Sequence, residues 1–396
     1  MMHDILIVTS RNVVTSGGEF SLIKNRADAL KNGWGIESDV AALCNVRLGV
    51  SEGGEAFGPG VYVRRDFMNP MQLLSGYEEL ITTAEKMVLS GSYKAIVLSG
   101  VGLFRYVDRM KRAAEASGAF VCADVHGYYG DGSLLARDEP LFLGSFHRAA
   151  AFVERYEQRK YLRKFDRIFC VSRAYRSFLC RECGCKEGQF YIVPCATGAK
   201  PSFGRAEELK YREDYRRKYG VEDDEWLLVY SGGASSWQCL PQTAELYREI
   251  LKRRGAKLLV LSGDIASARA AIGDCDDVEF DSFKPSDLPS VFCAADFFVM
   301  LREDVPTNHF AYPNKFLEYV AAHRPVITTP YVYDIAEEID RHGVGLLYNG
   351  DVDDLVLKMD NAVCDRDSCD RLVQEVSFAN SLIPFARDLG SVGSSC

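Results

Sequence analysis

Residues 297–328 read FFVMLREDVPTNHFAYPNKFLEYVAAHRPVIT. Two continuous apolar runs, 297–301 and 326–328, enclose a helical pattern over 315–322. Unbroken apolar runs of this length mark strands buried on both faces, and Pro313 suits the first turn of the helix between them. Strand, helix and strand within about thirty residues form a crossover unit, which requires a parallel sheet.

The same rhythm extends in both directions. Apolar runs recur at 5–8, 95–98, 120–123, 168–171 and 191–193, then at 227–230, 258–261, 278–280 and 345–348. Helical patterns over 21–31, 101–116, 152–164 and 243–253 lie between them. The rhythm breaks over 196–225, a polar stretch with Gly198, Pro201, Gly204 and a charged helix candidate over 207–219. This is the expected connection between two doubly wound α/β domains, 1–200 and 201–375, followed by an amphipathic segment over 376–389.

The 396 residues suit two domains or three. With 47% hydrophobic and 26% charged residues, the chain is neither disordered nor a disulfide scaffold. Lys and Arg total 47 against 56 Asp and Glu, a net charge of -9 that argues against a nucleic-acid partner. The charge is divided unevenly: residues 1–200 carry 26 basic and 22 acidic side chains, and residues 201–396 carry 21 and 34. Two bodies with different partners are implied. No run reaches the roughly 18 apolar residues of a membrane span, and the first apolar run is too short for a signal peptide, so the expected location is the cytoplasm. The 13 cysteines fit a reducing compartment. Their one cluster, Cys180, Cys183 and Cys185 with Cys195 further on, lacks the second ligand pair of a structural zinc site, so no metal is expected.

In open parallel sheets ligands bind beyond the carboxyl ends of the strands. Gly17-Gly18 after the first strand and Gly232-Gly233 after the 227–230 strand each precede a helical pattern. Backbone N–H groups there can approach an anion at the helix N-terminus; a tight turn is the alternative use of such glycines. His126 follows the 120–123 strand within Asp124-Val125-His126-Gly127, where either ring nitrogen can meet a substrate. Lys315 falls near the start of its helix, where its charge and the helix dipole together suit a diphosphate. Glu318, three residues on, is roughly on the same helix face and can accept two ribose hydroxyls. Read from spacing alone, Lys315 and Glu318 are better taken as a surface ion pair.

Residues 313–329, PNKFLEYVAAHRPVITT, resemble the donor-binding segment of the family 4 (group 1) glycosyltransferases, a P-x-K-x-x-E-Y-x-A-x-G-x-P-V-I run. Other segments agree in order: Gly17-Gly18 with the family's N-terminal glycine loop and His126 with its N-terminal histidine. Residues 165–172, 192–196 and 294–296 are similar to its remaining strand motifs. The resemblance implies the GT-B fold, two Rossmann-like doubly wound parallel-sheet domains facing across a cleft, with a C-terminal crossover helix at about 376–396 rejoining the first. It implies a retaining, metal-independent hexosyltransferase-type enzyme with a nucleotide sugar as co-substrate and no resident cofactor. The acceptor would be a saccharide or a lipid-linked molecule, in cell-envelope polysaccharide or glycoconjugate synthesis. By analogy, Lys315 would hold the diphosphate, Glu318 the ribose, and His126 the transferred sugar near its reacting carbon, with Asn314 a further donor-binding residue. Gly17-Gly18 would help bind the leaving diphosphate.

The sequence departs from the pattern at three places. Phe310 stands where the family has its first Glu. No Arg or Lys occurs in 231–240, where Gln238 stands near the expected Lys, and Arg302 is the candidate replacement cation. His323 replaces the helix-ending Gly and is expected to tolerate the left-handed turn. An inactive accessory protein for a partner transferase and a nucleotide-sugar epimerase are the alternative readings. Residues 148–167 carry seven basic and three acidic side chains. They read either as a helix meeting anionic lipid at the inner face of a membrane, or as a core helix with a solvated basic face.

Overall fold

Each apolar run named above lies on a strand of a wholly parallel sheet in the computed structural model, which describes residues 3–10, 18–46, 60–128, 141–195, 203–273, 275 and 277–390. The chain divides into two compact units, Met1–Ala196 with Val376–Cys396, and Thr197–Glu375.

The first body holds β1 (Ile5–Thr9), β2 (Ser38–Asn45), β3 (Val61–Arg65), β4 (Ala95–Ser99), β5 (Phe120–Val125), β6 (Arg167–Cys170) and β7 (Phe190–Ile192), in the order β3-β2-β1-β4-β5-β6-β7. The second holds β8 (Trp226–Ser231), β9 (Ala256–Leu261), β10 (Val278–Asp281), β11 (Phe297–Met300), β12 (Val326–Thr328) and β13 (Gly345–Leu347), in the order β10-β9-β8-β11-β12-β13. In both, the order reverses beside the first strand, at β1/β4 and at β8/β11. That reversal opens the crevice where doubly wound sheets take ligands.

Central strands are buried on both faces, which is why they read as continuous apolar runs: every residue of β1, β4 and β11 is buried. The sequence rhythm misses β2 and β3. In β2 the apolar run 40–44 is diluted by Ala41 and Ala42, and β3 is five residues with two arginines at its end.

Two aspartates tie the strand starts together. Asp166 accepts a hydrogen bond from the Val121 N–H at 2.9 Å. Asp296 accepts one from the Leu227 N–H at 2.7 Å and pairs with Arg212 and with Arg216 at 2.7 Å. Both lie in motifs the sequence matched to the family, and both hold the edge of a sheet opposite the ligand-binding end.

The connection between the bodies contains the helix Arg205–Lys218. The amphipathic segment after the second body is two short helices, Phe378–Ser381 and Ile383–Asp388, rather than one; Pro384 lies in the first turn of the latter. Phe385 packs edge-on against Phe120, Phe169 and Tyr191 of the first sheet.

Candidate active site

In the second body the site is built on the helix Asn314–Ala321, whose N-cap is Pro313. Tyr319 anchors this helix. Its ring stacks on Phe298 of β11 at 4.1 Å between centroids, 2° from parallel. Its hydroxyl accepts from the Ser231 N–H at 3.0 Å and donates to the Ser231 carbonyl at 3.1 Å. Lys315 is four residues earlier, on the same helix face and one turn nearer the N-terminus. Fixing Tyr319 on the last residue of β8 therefore sets Lys315 over the next residue, Gly232.

The approach is close. A Cβ at Gly232 would lie 2.0 Å from Lys315 Nζ, 2.7 Å from Gln238 Oε1 and 3.0 Å from Tyr230 Oη. Gly232 is needed for that space, since it is not among the positive-φ residues. Lys315 Nζ donates to Gln238 Oε1 at 3.3 Å. Tyr230 donates its hydroxyl to the Gly233 carbonyl at 2.6 Å and also lies 3.0 Å from Gln238 Oε1. The Lys315 ammonium sits 5.8 Å from the centre of the Tyr230 ring. Gln238 thus orients Lys315 as a neutral acceptor.

Arg302 stands just past the end of β11 and is buried. Its backbone is clamped by Thr329, whose Oγ1 accepts from the Arg302 N–H at 3.0 Å and donates to the Arg302 carbonyl at 2.7 Å. Its Nη1 donates to the Leu301 carbonyl at 2.7 Å. Neither Arg302 nor Lys315 forms an ion pair with a carboxylate among the described residues. Burial lowers the pKa of the Arg302 guanidinium. Burial, with the nearby Arg302 charge, brings the Lys315 ammonium down to about 8, against an opposing pull from Glu318. A cavity of about 650 Å³ opens on Arg302, lined also by Cys239, Glu303, Thr329, Tyr331 and Tyr348. Asn314 begins the helix with its Oδ1 buried and without a hydrogen-bond partner.

The second body thus brings together Gly232, Gly233, Gln238, Arg302, Asn314, Lys315 and Glu318. Phe310 ends the helix Pro306–Phe310 and is buried, so the family's first carboxylate is replaced by an apolar side chain. His323 adopts φ 56°, the left-handed turn expected of it, and its Nε2 lies 2.8 Å from Asp370 Oδ1.

Within the first body, His126 follows β5. Its Nε2 bonds Asp124 Oδ2, and its Nδ1 is buried without a hydrogen-bond partner among the described residues. Asp124 in turn accepts from Arg26 Nη1 at 2.7 Å, and Arg26 Nη2 donates to the Val193 carbonyl at 3.0 Å. Gly18 opens the helix Gly18–Trp34, while Gly17 lies outside the described residues. The cysteine cluster surrounds the end of the helix Arg173–Cys183, where Cys183 and Cys185 are buried. Burial pushes the Cys183 thiol up to about 11.

Residues 228–365 match the family model described as glycosyl transferases group 1. The chain is also similar over nearly its whole length to solved structures of the GT-B fold. Sucrose-phosphate synthase from Thermosynechococcus elongatus superposes with a TM-score of 0.69 at 14% identity, covering 98% of this chain and 99% of that one. A glycosyltransferase from Rickettsia africae gives 0.67 at 14% identity, covering 99% and 100%. The lipopolysaccharide outer core galactosyltransferase WaaB gives 0.65 at 13% identity, covering 98% and 99%. No curated protein sequence matches.

Sequence reasoning missed three parts of the candidate site. Tyr230 gave no signal, being one apolar residue in a strand. Thr329 reads as the end of a β-rich run. Arg26 sits in an ordinary amphipathic pattern, although Asp124 and His126 are two apart, the spacing that puts side chains on one face of a strand.

Proposed function

We propose that this protein is a group 1 glycosyltransferase that moves a sugar, with retention, from a nucleotide-sugar donor to a saccharide or lipid-linked acceptor in cell-envelope polysaccharide or glycoconjugate synthesis. The observation that carries this is the buried Arg302 with the part-buried Lys315 beside it, at the reversal point of the second sheet. Charges drawn out of water without a carboxylate partner are costly, and a diphosphate supplies the missing counter-charge. Lys315 and Arg302 hold it, Gly232 and Gly233 leave it room, and the Asn314 side chain meets it at the helix start. Glu318 accepts the ribose hydroxyls. His126 contacts the transferred sugar, and Gly17-Gly18 assists the leaving group.

As the bond from the anomeric carbon to phosphate breaks, negative charge grows on the diphosphate, and cations already in place stabilise it. The acceptor oxygen bonds the anomeric carbon on the same face, and its proton passes to the departing phosphate oxygen. Neither step needs the paired carboxylates of a glycosidase.

The test is a panel of UDP-, GDP- and ADP-sugars, read by thermal stabilisation and by NMR of slow donor hydrolysis. One donor is expected to stabilise the protein and to release sugar with its anomeric configuration retained. Failure to bind or hydrolyse any of them would favour an accessory role. Appearance of an epimeric nucleotide sugar would favour an epimerase.

The helix Leu141–Tyr161 supports a peripheral site of action at the inner face of an anionic membrane. It exposes Phe152 (73%), Tyr156 (51%) and Val153 (48%) among Arg148, Arg155 and Lys160. Exposed aromatics within a basic face suit the lipid headgroup region. Among the described residues no helix is long and apolar enough to cross a membrane. Flotation with liposomes containing anionic lipid should carry the protein upward, and flotation indifferent to lipid charge would remove this reading.

A further inference from the structure

The first body holds His126 in a buried three-residue relay whose other members, Asp124 and Arg26, the reading above does not use. His126 and Asp124 lie on one face of the β5 end, and Arg26 reaches them from the helix Gly18–Trp34. Asp124 is 6% exposed and Arg26 also 6%, so this ion pair is shielded from water. Burial alone would push the Asp124 carboxyl up. The His126 and Arg26 groups against it outweigh burial and hold it well below the usual carboxylate range. An ionised carboxylate only accepts hydrogen bonds, so the proton between Asp124 and His126 resides on Nε2.

The opposite ring nitrogen is the informative one. Nδ1 is buried and has no hydrogen-bond partner among the described residues, although the ring as a whole is held. Buried polar atoms are nearly always paired, and an orphan beyond the carboxyl end of a parallel strand marks a ligand position. When the ring is neutral, an Nε2–H committed to Asp124 leaves a lone pair at Nδ1. The group that completes it must be a donor.

We infer that Asp124 and Arg26 are positioning residues that fix the His126 tautomer, so that Nδ1 accepts a hydrogen bond from a hydroxyl of the transferred sugar. Arg26 has a specific part. Its Nη1 occupies Asp124 Oδ1, leaving Oδ2 for the imidazole. In Asp124→Asn the side-chain carbonyl would stay on the Arg26 donor, and the amide NH₂ would face Nε2. The ring would then carry its proton on Nδ1 and offer a donor where an acceptor is required. A matching reversal underlies tautomer loss in serine-protease triads whose aspartate is changed to asparagine.

The inference rests on the proposed sugar transfer for its ligand but not for its geometry, so two readouts separate them. The first is ¹⁵N NMR of the His126 ring at about pH 8.5, two units above the ordinary imidazole value of about 6.5. The wild-type spectrum should show a protonated Nε2 and a bare Nδ1, and Asp124→Asn should reverse them. Arg26→Lys, which keeps a cation beside Asp124, should retain the wild-type tautomer. The second readout is donor kinetics. Asp124→Asn should lower kcat about 10- to 100-fold while the donor KM changes less than about threefold, because only the sugar contact is mismatched. A proton on Nδ1 of the wild type overturns the inference even if Asp124→Asn does not fold. An unreversed ring in a folded Asp124→Asn also overturns it, as does kcat equal to wild type. If no nucleotide sugar is turned over by the wild type, the transfer reading fails while the tautomer result still stands.

Discussion

Gly232→Ala puts one methyl group into the tightest space of the candidate donor site. The new Cβ would stand 2.0 Å from Lys315 Nζ and 2.7 Å from Gln238 Oε1. Carbon in ordinary contact needs about 3.5 Å, so the ammonium must retreat by roughly 1.5 Å. The backbone is not strained, because Gly232 does not have positive φ, and the atoms displaced are the ends of flexible side chains. The fold should therefore survive with a stability change within about 1 kcal/mol. The donor should not bind as before. A charge-assisted hydrogen bond is worth about 1.5–3 kcal/mol, so the affinity for a nucleoside diphosphate should fall about 10- to 150-fold by calorimetry. The coupling is the decisive part. If the methyl acts through Lys315, its effect should shrink to under about threefold in a Lys315→Ala background. A loss of full size in that background, or no loss in the single variant, would refute the reasoning.

Lys315→Met should stabilise the protein while weakening donor binding about 10- to 150-fold. Burial holds the ammonium near 8, below its ordinary value of about 10.4, so the charged form costs about 3 kcal/mol at pH 7. Between about pH 8 and 10.4 the unfolded chain binds more protons at this group, so wild-type stability rises with pH across that window. Urea melts should show the advantage of Lys315→Met at pH 7 fading toward pH 10.4; an advantage independent of pH would contradict the assignment. At the helix end, His323→Val should cost about 1–2 kcal/mol because a β-branched residue resists φ 56°, whereas His323→Gly should avoid that cost. Equal melts for the two variants would show that the turn had relaxed.

Much of this arrangement was legible before any coordinates. Continuous apolar runs gave away the central strands because burial on both faces leaves no room for polar alternation. β2 and β3 escaped because Ala41 and Ala42 carry little hydrophobic signal and Arg64 and Arg65 carry the opposite one. Lys315 and Glu318 were found through their helix-start motif. The reason Lys315 can face Gly232 was not visible, since it depends on Tyr319 closing on Ser231 across 88 residues of chain. Arg26 was hidden for the same reason: its partner Asp124 is 98 residues away, and only folding brings an ordinary helical arginine under a strand end. Motif matches also concealed a difference in kind. Asp166 and Asp296 fit the family pattern because they tie strand starts together, far along their sheets from the candidate ligand.

The most direct measurement is the calorimetric affinity of a nucleoside diphosphate for the wild type, for Lys315→Ala and for Arg302→Ala. If Arg302 and Lys315 await a diphosphate, each substitution should weaken binding by about 10- to 150-fold. Wild-type affinity retained in Lys315→Ala would contradict the account at its centre.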